Sequence, residues 1–170
     1  MNTSLPRVLI LYATNSGNTY YVAHRIAEEL ENALKKRKIP VTVQSVGDVA
    51  PDILDEFDTI ILGSCTWNRH TATAKYEEGQ LQDQMQKFVD EFKKKRLSTK
   101  KFAVFGLGDS DYMKFCAAAD HLEKFIADIH GAKIGETLRI DSFPHGQEKM
   151  IDAWTRTLAP LLTTQKSLKH

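Results

Sequence analysis

Cysteine is scarce: Cys65 and Cys116 are the only two in 170 residues, in neither a C-x-x-C nor any other metal-ligand spacing. Two lone thiols in a chain of this size fit a reducing compartment, so a cytoplasmic location is expected. No apolar run approaches the roughly 20 residues needed to span a bilayer. Met1 to Pro6 lack the charged and then apolar stretches that open a secretory signal. Charge of one sign is missing too. Lys and Arg number 23 against 22 Asp and Glu, a formal +1, so no overall field argues for nucleic acid or an anionic membrane as partner. Repeats, linkers and low-complexity tracts are absent. With 42% hydrophobic residues, one domain is expected, its core over about 5–162 and a frayed tail over 163–170.

Two signatures are also missing from the segment that organises the chain. Arg7 to Thr19 reads R-V-L-I-L-Y-A-T-N-S-G-N-T: the apolar run Val8 to Tyr12 has strand length, then breaks into a hydroxyl- and glycine-rich loop that leads into a helix pattern. One glycine and no lysine exclude the G-x-x-x-x-G-K-[ST] loop of nucleoside triphosphates and argue against the G-x-G-x-x-G of dinucleotide sites. The loop does hold hydroxyls at Thr14, Ser16 and Thr19, and Gly17, where the backbone can come close to a ligand. Its amides lie near a helix start, whose partial positive charge favours an anion. A cofactor with a monophosphate tail would suit it; the same residue types also make an ordinary N-cap and turn.

Further along, Tyr20 to Leu34 sets Ala23, Ile26, Ala27, Leu30, Ala33 and Leu34 on one helical face and ends in the basic run Lys35 to Lys38. Val41 to Val46 alternates like a strand, and Ile53 to Phe57 suits a short helix or turn. Ile60 to Gly63 is a buried strand whose exit, Ser64 to His70, is polar apart from Trp67. Thr71 to Gly79 is polar and longer than the usual loop of about 2 to 6 residues, and is expected to cover something. Leu81, Met85, Phe88, Val89 and Phe92 mark a second long helix, closed by Lys93 to Arg96. Lys101 to Leu107 is a fourth strand, and the turn Gly108 to Tyr112 presents an aromatic. Ala118 to Ile129 forms the next helix, with His130 and Gly131 as its stop. Thr137 to Ile140 is a fifth strand, and Ile151, Trp154, Leu158 and Leu161 face inward on a last helix.

Strands alternating with helices predict an α/β fold, a five-stranded parallel sheet with helices on both faces. In such folds the ligand crevice lies at the C-terminal ends of the strands, where the winding switches. Three loops meet there: Thr14 to Thr19, Ser64 to Asn68 and Leu107 to Tyr112. Phosphate chemistry sits in the first and an aromatic in each of the others, a slot for a flat conjugated ring. A Trp that merely lids the local core is the alternative at Trp67.

Three motifs, T-N-S-G-N-T at Thr14 to Thr19, G-S-C-T-W-N at Gly63 to Asn68 and G-L-G-D-S-D-Y-M-K-F-C at Gly106 to Cys116, make the chain resemble a short-chain flavodoxin over almost its whole length. The resemblance implies a doubly wound sheet of order 2-1-3-4-5 with the flavin where strands 1 and 3 diverge. It implies one non-covalent FMN and a low-potential one-electron carrier between a reductase and acceptor proteins that dock at the flavin edge, monomeric and not an enzyme. Thr14, Asn15, Ser16, Gly17, Asn18 and Thr19 would hold the phosphate; Trp67 would flank the inner ring face and Tyr112 the outer. Backbone at Cys65, Thr66 and Asn68 and from Leu107 through Gly108 to Asp109 would meet the ring edge, with Phe115 and Cys116 nearby. It also implies a neutral semiquinone stabilised by a flip of the peptide after Trp67; Asn68 stands where glycine would flip most easily. Flavodoxins are usually acidic and this chain is not. Arg69 and His70 beside the ring would raise its second potential, unless Arg69 points into solvent. A flavodoxin-fold FMN oxidoreductase acting on a quinone or porphyrinogen, with Thr71 to Gly79 over its substrate, is the alternative.

Overall fold

Residues 5–50, 52–70, 72 and 75–163 are described by the computed structural model, His70 through its main chain alone. The expected tail beyond Thr163 lies outside the described residues, as do Thr71, Thr73 and Ala74 of the expected cover. The strands are β1 (Val8–Ala13), β2 (Val41–Ser45), β3 (Thr59–His70), β4 (Tyr76–Leu81), β5 (Lys101–Gly108), β6 (Ala132–Lys133) and β7 (Leu138–Asp141). The helices are α1 (Asn18–Leu34), α2 (Asp83–Phe92), α3 (Ala117–Asp128) and α4 (Glu148–Thr163).

All six residues of β1 are buried, because its two faces feed two different cores. Val8, Ile10 and Tyr12 pack with α1 and α4, whereas Leu9, Leu11 and Ala13 pack with α2 and α3. A strand covered on both sides has to be apolar at every position, hence the unbroken run in the sequence. β1 lies parallel between β2 and β3, and β3 lies parallel to β5, giving the path β2-β1-β3-β5. The fifth place is shared. β6 pairs with β5 at Lys101 and Phe102, and β7 pairs with it from Phe105 to Gly108. The expected order 2-1-3-4-5 is therefore present, with the fifth strand in two segments.

Three differences from the sequence reading have plain causes. First, Ser64 to His70 is not a loop: β3 continues through it and pairs antiparallel with β4, so the sheet has seven strands rather than five. Leu81, counted in the second helix from its spacing, ends β4, and α2 starts at Asp83. Second, the two-residue β6 is too short to leave a pattern. Third, His130 takes the left-handed conformation after α3, with φ 60°. Gly131 is needed for space, since a Cβ there would fall 2.5 Å from Cδ2 of Phe102.

α1 and α4 are clamped together on their common face. The Arg25 guanidinium bonds both oxygens of Asp152, Nε to Oδ1 at 2.7 Å and Nη2 to Oδ2 at 2.6 Å. The Tyr21 hydroxyl donates to Glu148 Oε1 at 2.7 Å, and Arg156 Nε to Glu29 Oε1 at 2.6 Å. This clamp fixes the helix that begins at the Thr14 to Thr19 loop.

Candidate functional site

The parallel register brings the three loops to one edge. Ala13 lies opposite Ser64, and Cys65 opposite Leu107, so the chain leaves β1, the parallel part of β3 and β5 side by side.

At the first loop, Gly17 sits at φ 87°, a left-handed conformation that costs any side chain but glycine, and turns the chain into α1. Its N–H donates to Thr14 Oγ1 at 3.0 Å. Among the described residues no side chain caps α1 and none in its first turn is acidic, which leaves that helix start open to an anion. Asn15, Ser16 and Gly17 are exposed, whereas Thr19 is wholly buried and its hydroxyl makes no hydrogen bond of normal geometry, having only the Cys65 sulfur, a weak acceptor, near it. A buried hydroxyl without a partner is costly, and one at an uncapped helix start is what a phosphate would satisfy. The residues therefore fit a phosphate.

The second loop is the β3–β4 hairpin. Trp67 is 46% exposed, too open for a lid on the core. The register shifts between Trp67 and Arg69, where the single residue Asn68 faces two of β4, so that the bulge lies at Glu78 and Gly79. Asn68 Oδ1 accepts the Gly79 N–H at 2.9 Å, and the Gly79 carbonyl lies 2.9 Å from His121 Nε2 on α3. Gly79, at φ 67°, has Lys114 and Ala117 so close that a Cβ would meet them at 2.6 and 3.0 Å. The described part of the expected cover is thus a strand held against α3. Arg69 neither reaches free into solvent nor stands as an uncompensated cation: Nη2 donates to the Leu81 carbonyl at 3.1 Å and lies 3.4 Å from Asp83. Thr66 turns its hydroxyl to α3, accepting the Ala118 N–H at 3.2 Å, and leaves only its backbone for a ligand.

In the third loop Tyr112 is 61% exposed and Met113 91%. Asp109 Oδ1 accepts the Asp111 N–H at 2.9 Å, shaping the turn that projects Tyr112. Ser110 ties that turn to the end of β7, its N–H and hydroxyl both donating to Asp141, at 2.9 and 2.6 Å. Those bonds hold the Asp141 carboxyl below its usual range. Phe143, two residues on, is 73% exposed beside this turn. Leu107 is buried, Gly108 and Phe115 are partly so, and Cys116 is enclosed with its thiol toward the Gly106 and Ile140 carbonyls. Burial pushes Cys116 up to about 11 and raises Cys65 as well, so both thiols stay protonated at neutral pH. At Cys65 the Asn15 amide and the Thr19 hydroxyl offset part of the rise.

Gln82 was missed by the sequence reading. It is buried between β4 and α2, its Oε1 capping α2 by accepting from Gln84 and Met85 N–H, and its Nε2 donating to Asn15 Oδ1 at 3.1 Å. Glutamine is an uncommon cap, and only its place ahead of the helical run could have pointed to it. Some of the charge is segregated between the two ends of the sheet. Lys35 to Arg37 and Lys93 to Arg96 follow the C-termini of α1 and α2, while Asp109, Asp111 and Asp141 rim the loops. Among the described residues no cluster of three or more His, Cys, Asp or Glu could hold a metal, and no helix is long and apolar enough to cross a membrane.

A doubly wound parallel sheet with an anion-seeking loop and two exposed rings at its switch point defines the class of mononucleotide-binding α/β proteins. The Flavodoxin family model matches residues 10–154. A flavodoxin from Maridesulfovibrio salexigens is 34% identical, over 91% of this chain and 98% of its own. A probable flavodoxin from Bacillus subtilis is 30% identical, over 85% and 88%. The solved structure of oxidised Flavodoxin 2 from Bacillus cereus superposes with a TM-score of 0.73 at 28% identity, covering 92% of this chain and 97% of that one. A Fusobacterium nucleatum flavodoxin bound to flavin mononucleotide shares the fold, with a TM-score of 0.71 at 19% identity, over 92% and 99%. The chain belongs to the flavodoxin family, FMN-dependent electron carriers rather than enzymes, as its three motifs implied.

Proposed function

We propose that this chain is a cytoplasmic, monomeric, single-domain carrier of low potential, holding FMN between Trp67 and Tyr112 with its phosphate on Thr14 to Thr19. The observation that carries the reading is the wholly buried, unpartnered Thr19 hydroxyl at an uncapped helix start, on the same sheet edge as two exposed aromatic rings. FMN, when bound, takes up and returns electrons one at a time. The protein's part is to bind it and set the cost of its charges. Ring faces covered by Trp67 and Tyr112 disfavour added negative charge by excluding water, and Asp109 disfavours it further by repulsion. With Arg69 paired to Asp83, its compensated charge offsets this less. The register supports the expectation for Asn68: it faces the β4 bulge and has no paired residue of its own, so the peptide after Trp67 is less tightly tied to the ladder than its neighbours. Met113, Phe143 and the acidic rim form the surface on which a reductase or an acceptor would dock.

Anaerobic reductive titration of the FMN-reconstituted protein tests this. A yellow protein that turns blue at one electron and is slow to react with quinones supports the carrier. Direct bleaching with rapid reoxidation by a quinone would support the oxidoreductase instead, and failure to bind FMN would leave only the fold.

A further inference from the structure

Asn15, at the tip of the phosphate loop, is held from outside it: its side-chain carbonyl accepts from Gln82 Nε2 at 3.1 Å. Gln82 is itself tied at its main chain and its side chain. Its main-chain N–H donates to Ser64 Oγ at 3.2 Å, and its carbonyl accepts the Gln86 N–H at 2.8 Å. Its Oε1 is pinned by the Gln84 and Met85 N–H groups at 2.7 and 3.4 Å. Only 7% of the residue is exposed, so its side chain has little freedom left to lose, and its remaining donor is aimed at one atom of the loop. Asn15, Ser16 and Gly17 are otherwise exposed, and a loop left free would have to be ordered by its ligand at the expense of affinity.

We propose that Gln82 is a positioning residue that presets the phosphate loop through Asn15, so that it governs the preference for the phosphorylated over the unphosphorylated flavin. This rests on the reading of Thr14 to Thr19 as the phosphate site. The ring contacts at Trp67 and Tyr112 lie elsewhere, and the Gln82 side chain bonds to Asn15 and the start of α2 rather than to them. Losing one neutral hydrogen bond of preorganisation corresponds to roughly three- to tenfold in affinity.

The test is a double-mutant cycle of Gln82→Met and Asn15→Ala, each protein titrated with FMN and with riboflavin by quenching of flavin fluorescence. Expected is a three- to tenfold loss of FMN affinity in Gln82→Met, no further loss on adding it to Asn15→Ala, and riboflavin affinity within twofold throughout. Parallel losses for both flavins would reduce Gln82 to a cap of α2 and overturn the proposal, as would additive effects or an unchanged FMN affinity. Should Gln82→Met fail to fold, Gln82→Glu takes its place, since a carboxylate still accepts the two α2 N–H groups; the same cycle and criteria apply. A wild-type protein with no preference for FMN over riboflavin would instead refute the phosphate site itself.

Discussion

Replacing Thr19 by Val should move the empty and the loaded protein in opposite directions. The hydroxyl is wholly buried and unpartnered in this structure, a condition that costs about 1–3 kcal/mol for a group that water would otherwise satisfy. Valine has nearly the same shape, is equally β-branched, and has a helix propensity close to that of threonine. The apo-protein should therefore gain about 1 kcal/mol, or about 2–4 °C in Tm for a chain of this size. In the loaded protein the same hydroxyl would donate to a phosphate, and a hydrogen bond to a charged group contributes about 1.5–3 kcal/mol, roughly 10- to 150-fold in affinity. Urea unfolding of the apo-variant reads the first quantity and flavin-fluorescence titration the second. An apo-protein destabilised by more than about 1 kcal/mol would mean that Thr19 serves the fold; an FMN affinity within twofold of wild type would mean that no phosphate reaches it.

Four further substitutions probe other parts of the molecule. Trp67→Ala and Tyr112→Ala, at rings 46% and 61% exposed, should leave apo stability within about 0.5 kcal/mol while lowering FMN affinity roughly 5- to 150-fold, as loss of a stacking ring does elsewhere; equal losses of stability and affinity would contradict the slot. Gly108→Ala would set a Cβ 2.5 Å from the Cys116 nitrogen and 3.0 Å from its Cα, main-chain atoms that cannot rotate away. Overpacking of about 1–3 kcal/mol should show in urea unfolding, and an unchanged midpoint would disprove the close approach of β5 and α3. Asp152→Asn weakens the α1–α4 clamp: the Arg25 bonds depress the Asp152 carboxyl, so its contribution is present above the ordinary carboxylate pKa of about 3.9 and is lost as pH falls through the lowered value. The variant should be less stable by about 1–3 kcal/mol at pH 7, with the gap closing below about pH 4; a gap that persists in acid would rule out the ion pair as its source.

Legibility in the sequence followed burial. β1, the first half of β3 and β5 are covered on both faces and announce themselves as apolar runs, and the helices show their inward stripes except at Ala33 and Leu161, which are exposed, Leu162 taking the inward place at the end of α4. The turn into α1 at Gly17 was equally plain, because its glycine and hydroxyls cluster within six residues. β4 was hidden because Tyr-Glu-Glu-Gly-Gln-Leu is polar and only part-buried, and its partner, the far half of β3, is polar too. Pairing between such segments rests on main-chain hydrogen bonds, which leave no trace in side-chain type. Gln82 escaped for a related reason: its role comes from a contact 67 positions away in the chain, with Asn15. The paired state of Arg69 likewise depends on Leu81 and Asp83, brought near only by the hairpin.

The placement of charge has a consequence for encounter. With a formal total of +1, the molecule feels almost no net pull in the field of another protein. Its basic helix ends and acidic loop rim lie at opposite ends of the sheet, however, so that field exerts a torque. A basic partner would turn the ring-bearing edge toward itself before the surfaces touch, within about 8 Å at physiological ionic strength. Salt should then slow productive encounters by randomising orientation rather than by lowering the number of collisions.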